Sequence, residues 1–253
     1  MNATATQTTA SVGAVRLLWG VAANVAVFSL TLLFALAAIV MTSLTRSTRC
    51  FDLLGPTWSR WILAICGVRI DVEGLENVDP KRSCVLISNH LSNFDVWATF
   101  AALPFNLRFV AKKELTRLPF FGRALAMSEH VIIDRSNPDE AIARINARVA
   151  ARPDSGFCIL FFAEGTRSPD GRIHAFKKGG VSLAIRTGLP IIPVTVSGTW
   201  KLLPKGAWVI RPGGRVKVVL DRPIETTGIH LDDRDALNER VRAIVVRNFS
   251  EAY

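Results

Sequence analysis

CVLISNHLSNFDVWATFAA, residues 84–102, holds three kinds of sequence in succession. Cys84–Ser88 is an apolar run of strand length, Asn89–Asp95 is turn-like, and Asp95–Ala102 carries on as a helical stretch. A strand that runs through a short turn into a helix is the unit from which α/β sheets are assembled. The same alternation continues on both sides. Further strands are expected at Val68–Val72, Arg108–Ala111, Val131–Asp134, Phe157–Phe162, Ile191–Ser197 and Arg215–Leu220. Helices are expected at Gly122–Met127, Asp139–Ala151, Gly179–Thr187 and Asp233–Phe249. Ile142, Ile145 and Val149 share one face of the helix that Asp139 opens, and Gly188 with Pro190 closes the one before Ile191. The expected fold is therefore α/β, a mixed, mostly parallel sheet flanked by helices, forming one domain over residues 68–253.

Residues 1–67 are different in kind. From Leu17 to Thr45 the chain reads LLWGVAANVAVFSLTLLFALAAIVMTSLT, without a charge. As a helix it exceeds the roughly 30 Å hydrocarbon core of a bilayer, and it is too long for a signal-peptide apolar region of about 7–15 residues. A second helical segment follows at Phe51–Cys66, with Leu54, Trp58, Trp61, Ile62 and Ile65 on one side and Ser59 and Arg60 on the other. Tryptophan beside arginine suits the headgroup region. Residues 1–67 are thus expected to form a membrane-associated helical pair. The long helix either spans the bilayer or dips into one leaflet. If it spans, Arg46, Arg49 and Arg60 after the apolar run, against Arg16 before it, put the body on the cytoplasmic side.

The net charge is +10, and residues 1–52 hold only three arginines and one aspartate, so the basic excess belongs to the body. Such a surface favours anionic membranes and phosphorylated ligands. No arginine-rich arm, zinc-ligand spacing or aromatic-basic pattern points to nucleic acid. Cys50, Cys66, Cys84 and Cys158 show no C-x-x-C spacing, and Cys84 and Cys158 sit in core-strand runs, which reads as buried thiols in a reducing compartment. His130, His174 and His230 show no paired ligand spacing, and no metal site is expected.

The chemistry starts at His90 and Asp95. Sites in open α/β sheets collect at strand ends. A carboxylate on the far nitrogen of an imidazole fixes its tautomer and stabilises the imidazolium, which makes a general base. Asp95 is near enough to do this across a turn. No nucleophile elbow accompanies the pair, so a hydroxyl of the substrate is the natural nucleophile. A second strand end, Phe157–Phe162, enters Ala163-Glu164-Gly165-Thr166-Arg167-Ser168. There glycine frees the backbone, hydroxyls donate, and arginine can fork onto phosphate oxygens. Lys177 and Lys178 before the Gly179 helix, and Arg135 after a third strand, add anion-friendly positions.

In this order the blocks resemble the glycerolipid acyltransferase family, its 1-acylglycerol-3-phosphate acyltransferases in particular. Asn89–Asp95 resembles the N-H-x-S-x-x-D block. Phe109–Leu115 with Pro119–Gly122 resembles the second block, and Phe162–Ser168 resembles F-P-E-G-T-R-S with Ala163 in place of proline. Pro190–Val194 resembles the fourth. The resemblance covers residues 68–220, and the N-terminal helical pair is also similar to that of bacterial members, which implies a bacterial-type cell membrane. It implies that His90 is the base and Asp95 its orienter. Glu164, Gly165, Thr166 and Arg167 would hold an acceptor phosphate with Lys112 or Lys113, Lys178 and Arg135. Pro119, Phe120, Pro190, Ile192 and Pro193 would shape the acyl-chain region. It further implies acyl-CoA or acyl carrier protein as co-substrate, no cofactor, and a lysophosphatidic-acid-like acceptor. Another lyso-lipid acceptor, and a catalytically silent module that binds anionic lipid, are the competing readings.

Overall fold

The computed structural model describes residues 3–111, 113–128, 130–132, 138–151 and 155–253. Its strands are β1 (Val68–Glu73), β2 (Cys84–Ser88), β3 (Asn106–Ala111), β4 (Val131–Ile132), β5 (Phe157–Phe162), β6 (Ile191–Ser197) and β7 (Gly214–Leu220). They form one seven-stranded sheet in the order β1-β7-β6-β2-β5-β3-β4. Neighbours are parallel throughout except β6 and β7. The expected mixed, mostly parallel sheet is what the chain forms.

Both faces of the sheet are covered, which is why its central strands read as continuous apolar runs. Leu86, Leu160 and Val194 point to one side, against Ile62 of α2 (Cys50–Ile65) and Phe94 and Ala98 of α3 (Phe94–Ala102). Val85, Ile87, Ile159 and Phe161 point to the other. There they meet Ile145 of α5 (Pro138–Ala151), Val181 of α6 (Gly179–Thr187) and Val241 of α8 (Arg234–Asn248). The remaining helices are α1 (Ala3–Thr45), α4 (Phe121–Met127) and the four-residue α7 (Thr199–Leu202).

Helix α1 contains a stretch, Ala14–Thr45, long and apolar enough to cross a membrane. It does not project away from the body. Gly20, Ala23, Ala35 and Ala38 are buried, and Asn24, Val27, Thr31 and Phe34 are half-buried between them, so a stripe at helical spacing faces the protein. At 1.5 Å per residue that stripe is about 27 Å long. The Trp19 indole donates to Ile65 O (3.3 Å), the Trp58 indole of α2 to Thr31 Oγ1 (3.2 Å), and Phe34 meets Trp61 edge to face. Asn24 clamps the loop before β7, donating to Trp208 O (2.6 Å) and accepting from Ile210 N (3.3 Å). The other faces expose Leu18, Val25, Phe28, Leu33, Val40 and Leu44.

One expectation is overturned in the core. Cys84 and Cys158 are not separate thiols. They occupy register-matched positions on the parallel strands β2 and β5, with Cα atoms 4.7 Å apart, and form a disulfide. Facing positions on adjacent strands bring the two sulfurs together, which spacing along the chain does not reveal. Cys50 and Cys66 are free.

Candidate active site

Strands β2 and β5 are neighbours, so their carboxyl ends deliver two loops to one place. The turn after β2 carries His90 and the turn after β5 carries Glu164–Arg167.

The first turn is held from every side. Asn89 is fully buried, and its amide pairs with both backbone groups of Val196 on β6, donating at 2.8 Å and accepting at 2.9 Å. Ser92 Oγ donates to Leu203 O at 2.8 Å. Asp95 lies in the first turn of α3 but folds its carboxylate back toward the loop. Oδ2 accepts from His90 Nδ1 (2.7 Å), Leu91 N (2.6 Å) and Ser92 N (2.8 Å), and Oδ1 accepts from the Thr199 hydroxyl. Four donors satisfy a carboxylate that is wholly buried, which is what keeps a buried charge tolerable. The His90 ring stacks on Phe162 of β5, centroids 4.2 Å apart, and its side chain is 16% exposed. With Nδ1 committed to Asp95, Nε2 is the nitrogen left for a ligand.

The second turn is tied to the first by its backbone. Ala163 N donates to Ser88 O (2.8 Å) and Ser168 N to His90 O (2.8 Å). Glu164 is buried, and its carboxylate is occupied: Oε1 accepts from His90 N (2.9 Å) and Oε2 from His174 N (3.3 Å). Burial pushes its carboxyl above the ordinary value, against the pull of those two N–H groups. Glu164 therefore braces the two loops through its carboxylate. His174 is held in turn by Asp170 (2.8 Å), whose carboxyl that bond draws down to about 2.

The cations stand around the tip. Gly165 has φ +71°, and a side chain there would collide with Lys177, whose aliphatic stem and Nζ lie across it. Arg167 is half-buried and makes no hydrogen bond or ion pair among the described residues. Lys205 Nζ reaches Thr166 Oγ1 at 3.2 Å from the loop that follows α7. Lys178 is turned elsewhere, onto Asp235 of α8 (2.5 Å). The lysine over this turn is thus its neighbour Lys177, because Lys178 starts α6 and faces α8. Lys112, Arg135 and the Lys113 side chain lie outside the described residues. Thr199 and Lys205 escape sequence reading because each arrives from more than 30 residues away on a segment without periodic pattern.

On the α2/α3 side of the sheet lies an apolar cavity of about 640 Å³. Phe28 and Leu32 of α1, Gly55 and Trp58 of α2, Phe100 of α3 and Phe109 of β3 are among its walls. Asn93 and Val96 bring the His90 turn to its edge, and Pro119 and Phe120 form part of its rim. Phe120 has φ +57° and sits in a tight turn in which Phe121 N donates to Pro119 O (2.6 Å). His130 on the wall is kept neutral by burial and by nearby Arg108, which drive its pKa well below the ordinary value. Arg108 itself is buried and paired with Asp52 of α2 (2.7 Å). Pro190, Ile192 and Pro193 are absent from these walls. They are buried at and within β6, between β2 and β7, and so shape the sheet rather than the cavity.

A family profile described as Acyltransferase matches residues 69–197, from β1 to the end of β6. A Pseudomonas aeruginosa protein named 1-acyl-sn-glycerol-3-phosphate acyltransferase is 34% identical over 200 residues, covering 77% of this chain and 76% of that one. A protein of the same name from Limnanthes alba is 35% identical over 187 residues, covering 74% and 66%. The crystal structure of the 1-acyl-sn-glycerophosphate acyltransferase of Thermotoga maritima superposes with a TM-score of 0.75 over 92% of this chain and 94% of that one, at 24% identity, and so shares the fold.

Proposed function

This chain belongs to the acyltransferase family, and on that premise we propose that it forms phosphatidic acid by moving an acyl group from a thioester to the free 2-hydroxyl of 1-acylglycerol 3-phosphate. The observation that carries the mechanism is the 2.7 Å contact from His90 Nδ1 to a buried Asp95. It leaves Nε2 as the base, and among the described residues no protein hydroxyl is hydrogen-bonded to that nitrogen. The acceptor oxygen attacks the thioester carbonyl carbon while Nε2 takes its proton. Asp95 stabilises the imidazolium so formed. Collapse of the tetrahedral intermediate breaks the C–S bond, and the imidazolium proton passes to the departing sulfur, giving the ester, a free thiol and neutral His90. Arg167, Lys177 and the Gly165–Thr166 turn hold the acceptor phosphate, and the apolar cavity beside Asn93 takes an acyl chain. The donor is acyl-CoA or acyl carrier protein. The scheme includes no cofactor, since proton transfer and phosphate binding are both supplied by side chains.

The setting is a membrane on its cytoplasmic side. The body-facing stripe of α1 runs for most of the apolar stretch, which supports a helix lying in the plane of one leaflet with its exposed faces in lipid. The basic side chains of the body then meet anionic headgroups.

The deciding experiment presents purified protein with a labelled acyl thioester, as CoA and as carrier-protein conjugate in separate arms, and a panel of lyso-lipid acceptors. Labelled phosphatidic acid from lysophosphatidic acid is the expected product. A phosphate-free or diester lyso-lipid as the better acceptor would overturn the choice of acceptor. Membrane recovery of the full chain, compared with a chain lacking residues 1–48, tests the setting.

A further inference from the structure

The loop between α7 and β7 lies outside the matched family segment, yet it reaches the active site. Its beginning is fixed to the catalytic turn, because Leu203 O accepts from Ser92 Oγ at 2.8 Å. It closes on itself through Ala207 N to Pro204 O (3.0 Å) and Arg211 N to Leu202 O (2.8 Å). Its far side is clamped by Asn24 of α1. Between these ties Lys205 extends to Thr166 Oγ1 at 3.2 Å, in the middle of the Gly165–Arg167 turn. No carboxylate pairs with Lys205, Lys177 or Arg167 among the described residues, and the one acid in the turn, Glu164, is buried and braced by two backbone N–H groups. Three cations around a turn whose hydroxyl and N–H groups also donate form a place where, among the described residues, no anion is paired with them.

We infer that Lys205 is a phosphate-binding residue that makes the acceptor site prefer a phosphate monoester over a diester. This rests on the acyl-transfer reading above. A monoester phosphate carries about −1.5 to −2 charge near neutral pH and three terminal oxygens. A diester carries one charge and two terminal oxygens. Arg167 forks onto two oxygens, while Lys177 lies over Gly165 and Lys205 reaches Thr166. The third terminal oxygen, with the second charge, is what the additional lysine binds. An ammonium has three donors, and Thr166 Oγ1 takes one of those of Lys205. Because the loop is pinned at both ends, little ordering of its backbone is needed when phosphate arrives.

The test compares Lys205→Ala, Lys205→Arg and Lys81→Ala on full-length protein in vesicles of one lipid composition. Lys81 is an exposed lysine on the loop before β2, so its loss controls for net charge. The readouts are KM and kcat for lysophosphatidic acid, KM for the thioester, and the competitive inhibition constant of the methyl phosphodiester of lysophosphatidic acid. In Lys205→Ala the acceptor KM should rise about tenfold, the low end for a charge-assisted hydrogen bond. The diester inhibition constant should rise less than threefold, kcat and thioester KM should hold, and arginine should restore most of the loss. Equal losses for monoester and diester, an unchanged acceptor KM, or a defect confined to the thioester would each overturn the inference while leaving the acyl-transfer reading in place. Wild-type protein that does not acylate lysophosphatidic acid would instead overturn that reading itself.

Discussion

The His90 turn and the Gly165–Arg167 turn leave adjacent parallel strands and touch through shared backbone bonds, yet they are built oppositely. In the first, Asn89, Ser92 and Asp95 are buried and each is matched to partners in the protein. In the second, Arg167, Lys177 and Lys205 stand half-buried or exposed around a glycine, without acidic partners among the described residues. On the function proposed above, the difference separates two tasks. A base must be aimed before the substrate arrives, so its neighbours hold it in one geometry. A binding turn must find its counter-charge in the ligand, so its own charges stay uncompensated until then.

The sharpest way to break this contrast is to disarm the held turn. His90→Ala should lower kcat by about two to four powers of ten, the usual contribution of a positioned base. Asp95→Asn should also be severe, because an amide does not hold the tautomer that leaves Nε2 free. A folded His90→Ala protein with near-normal turnover would remove the base from the scheme. Next comes the open turn. Arg167→Ala should raise the KM for lysophosphatidic acid roughly ten- to a hundredfold with the thioester KM nearly unchanged. Arg167→Lys should recover little of it, since the fork is lost although the charge remains.

Glu164 sits on the seam between the two turns and sharpens the comparison. Removing its carboxylate with Glu164→Ala strands the His90 and His174 N–H groups, and should lower the unfolding free energy by about 1–3 kcal/mol. Glu164→Gln gives a subtler signal. Burial raises the Glu164 pKa in the fold, so its contribution to stability is fully present below the ordinary carboxylate value and is lost as pH rises through the folded one. Glutamine should flatten that part of the stability–pH curve, and an unchanged slope in chemical denaturation would show that Glu164 stays ionised without penalty. The smallest effect lies far from both turns. Burial pushes the Cys66 thiol up to about 11, so alkylation at pH 8 should label half-buried Cys50 well before Cys66.

Much of the fold was legible because central parallel strands are apolar on both faces and their helices carry periodic patterns. Every expected strand exists, and bounds differ by a few residues at most in the described parts. The four-residue α7 was not legible, since one turn is too short to show a period. The His90–Asp95 pair could be read because both partners lie within one turn. Partners brought together by topology could not. Thr199 meets Asp95 across 104 residues, Cys84 meets Cys158 across 74, and Lys205 meets Thr166 across 39. Which of Lys177 and Lys178 lies over the turn was not legible for a related reason: adjacent residues at a helix start point in different directions, and only the packing of α8 shows that Lys178 is engaged by Asp235.

The long stripe by which α1 is fastened to the body has a kinetic meaning. In the setting proposed above, with α1 lying in one leaflet, a catalytic centre strapped to that helix stands at a fixed height over the surface. A membrane-borne acceptor then diffuses to it in two dimensions. Encounter frequency then follows the number of acceptor molecules per unit area, not per litre. Diluting the acceptor with inert lipid should slow the reaction at constant bulk concentration, and adding more vesicles of the same composition should not speed each enzyme already bound.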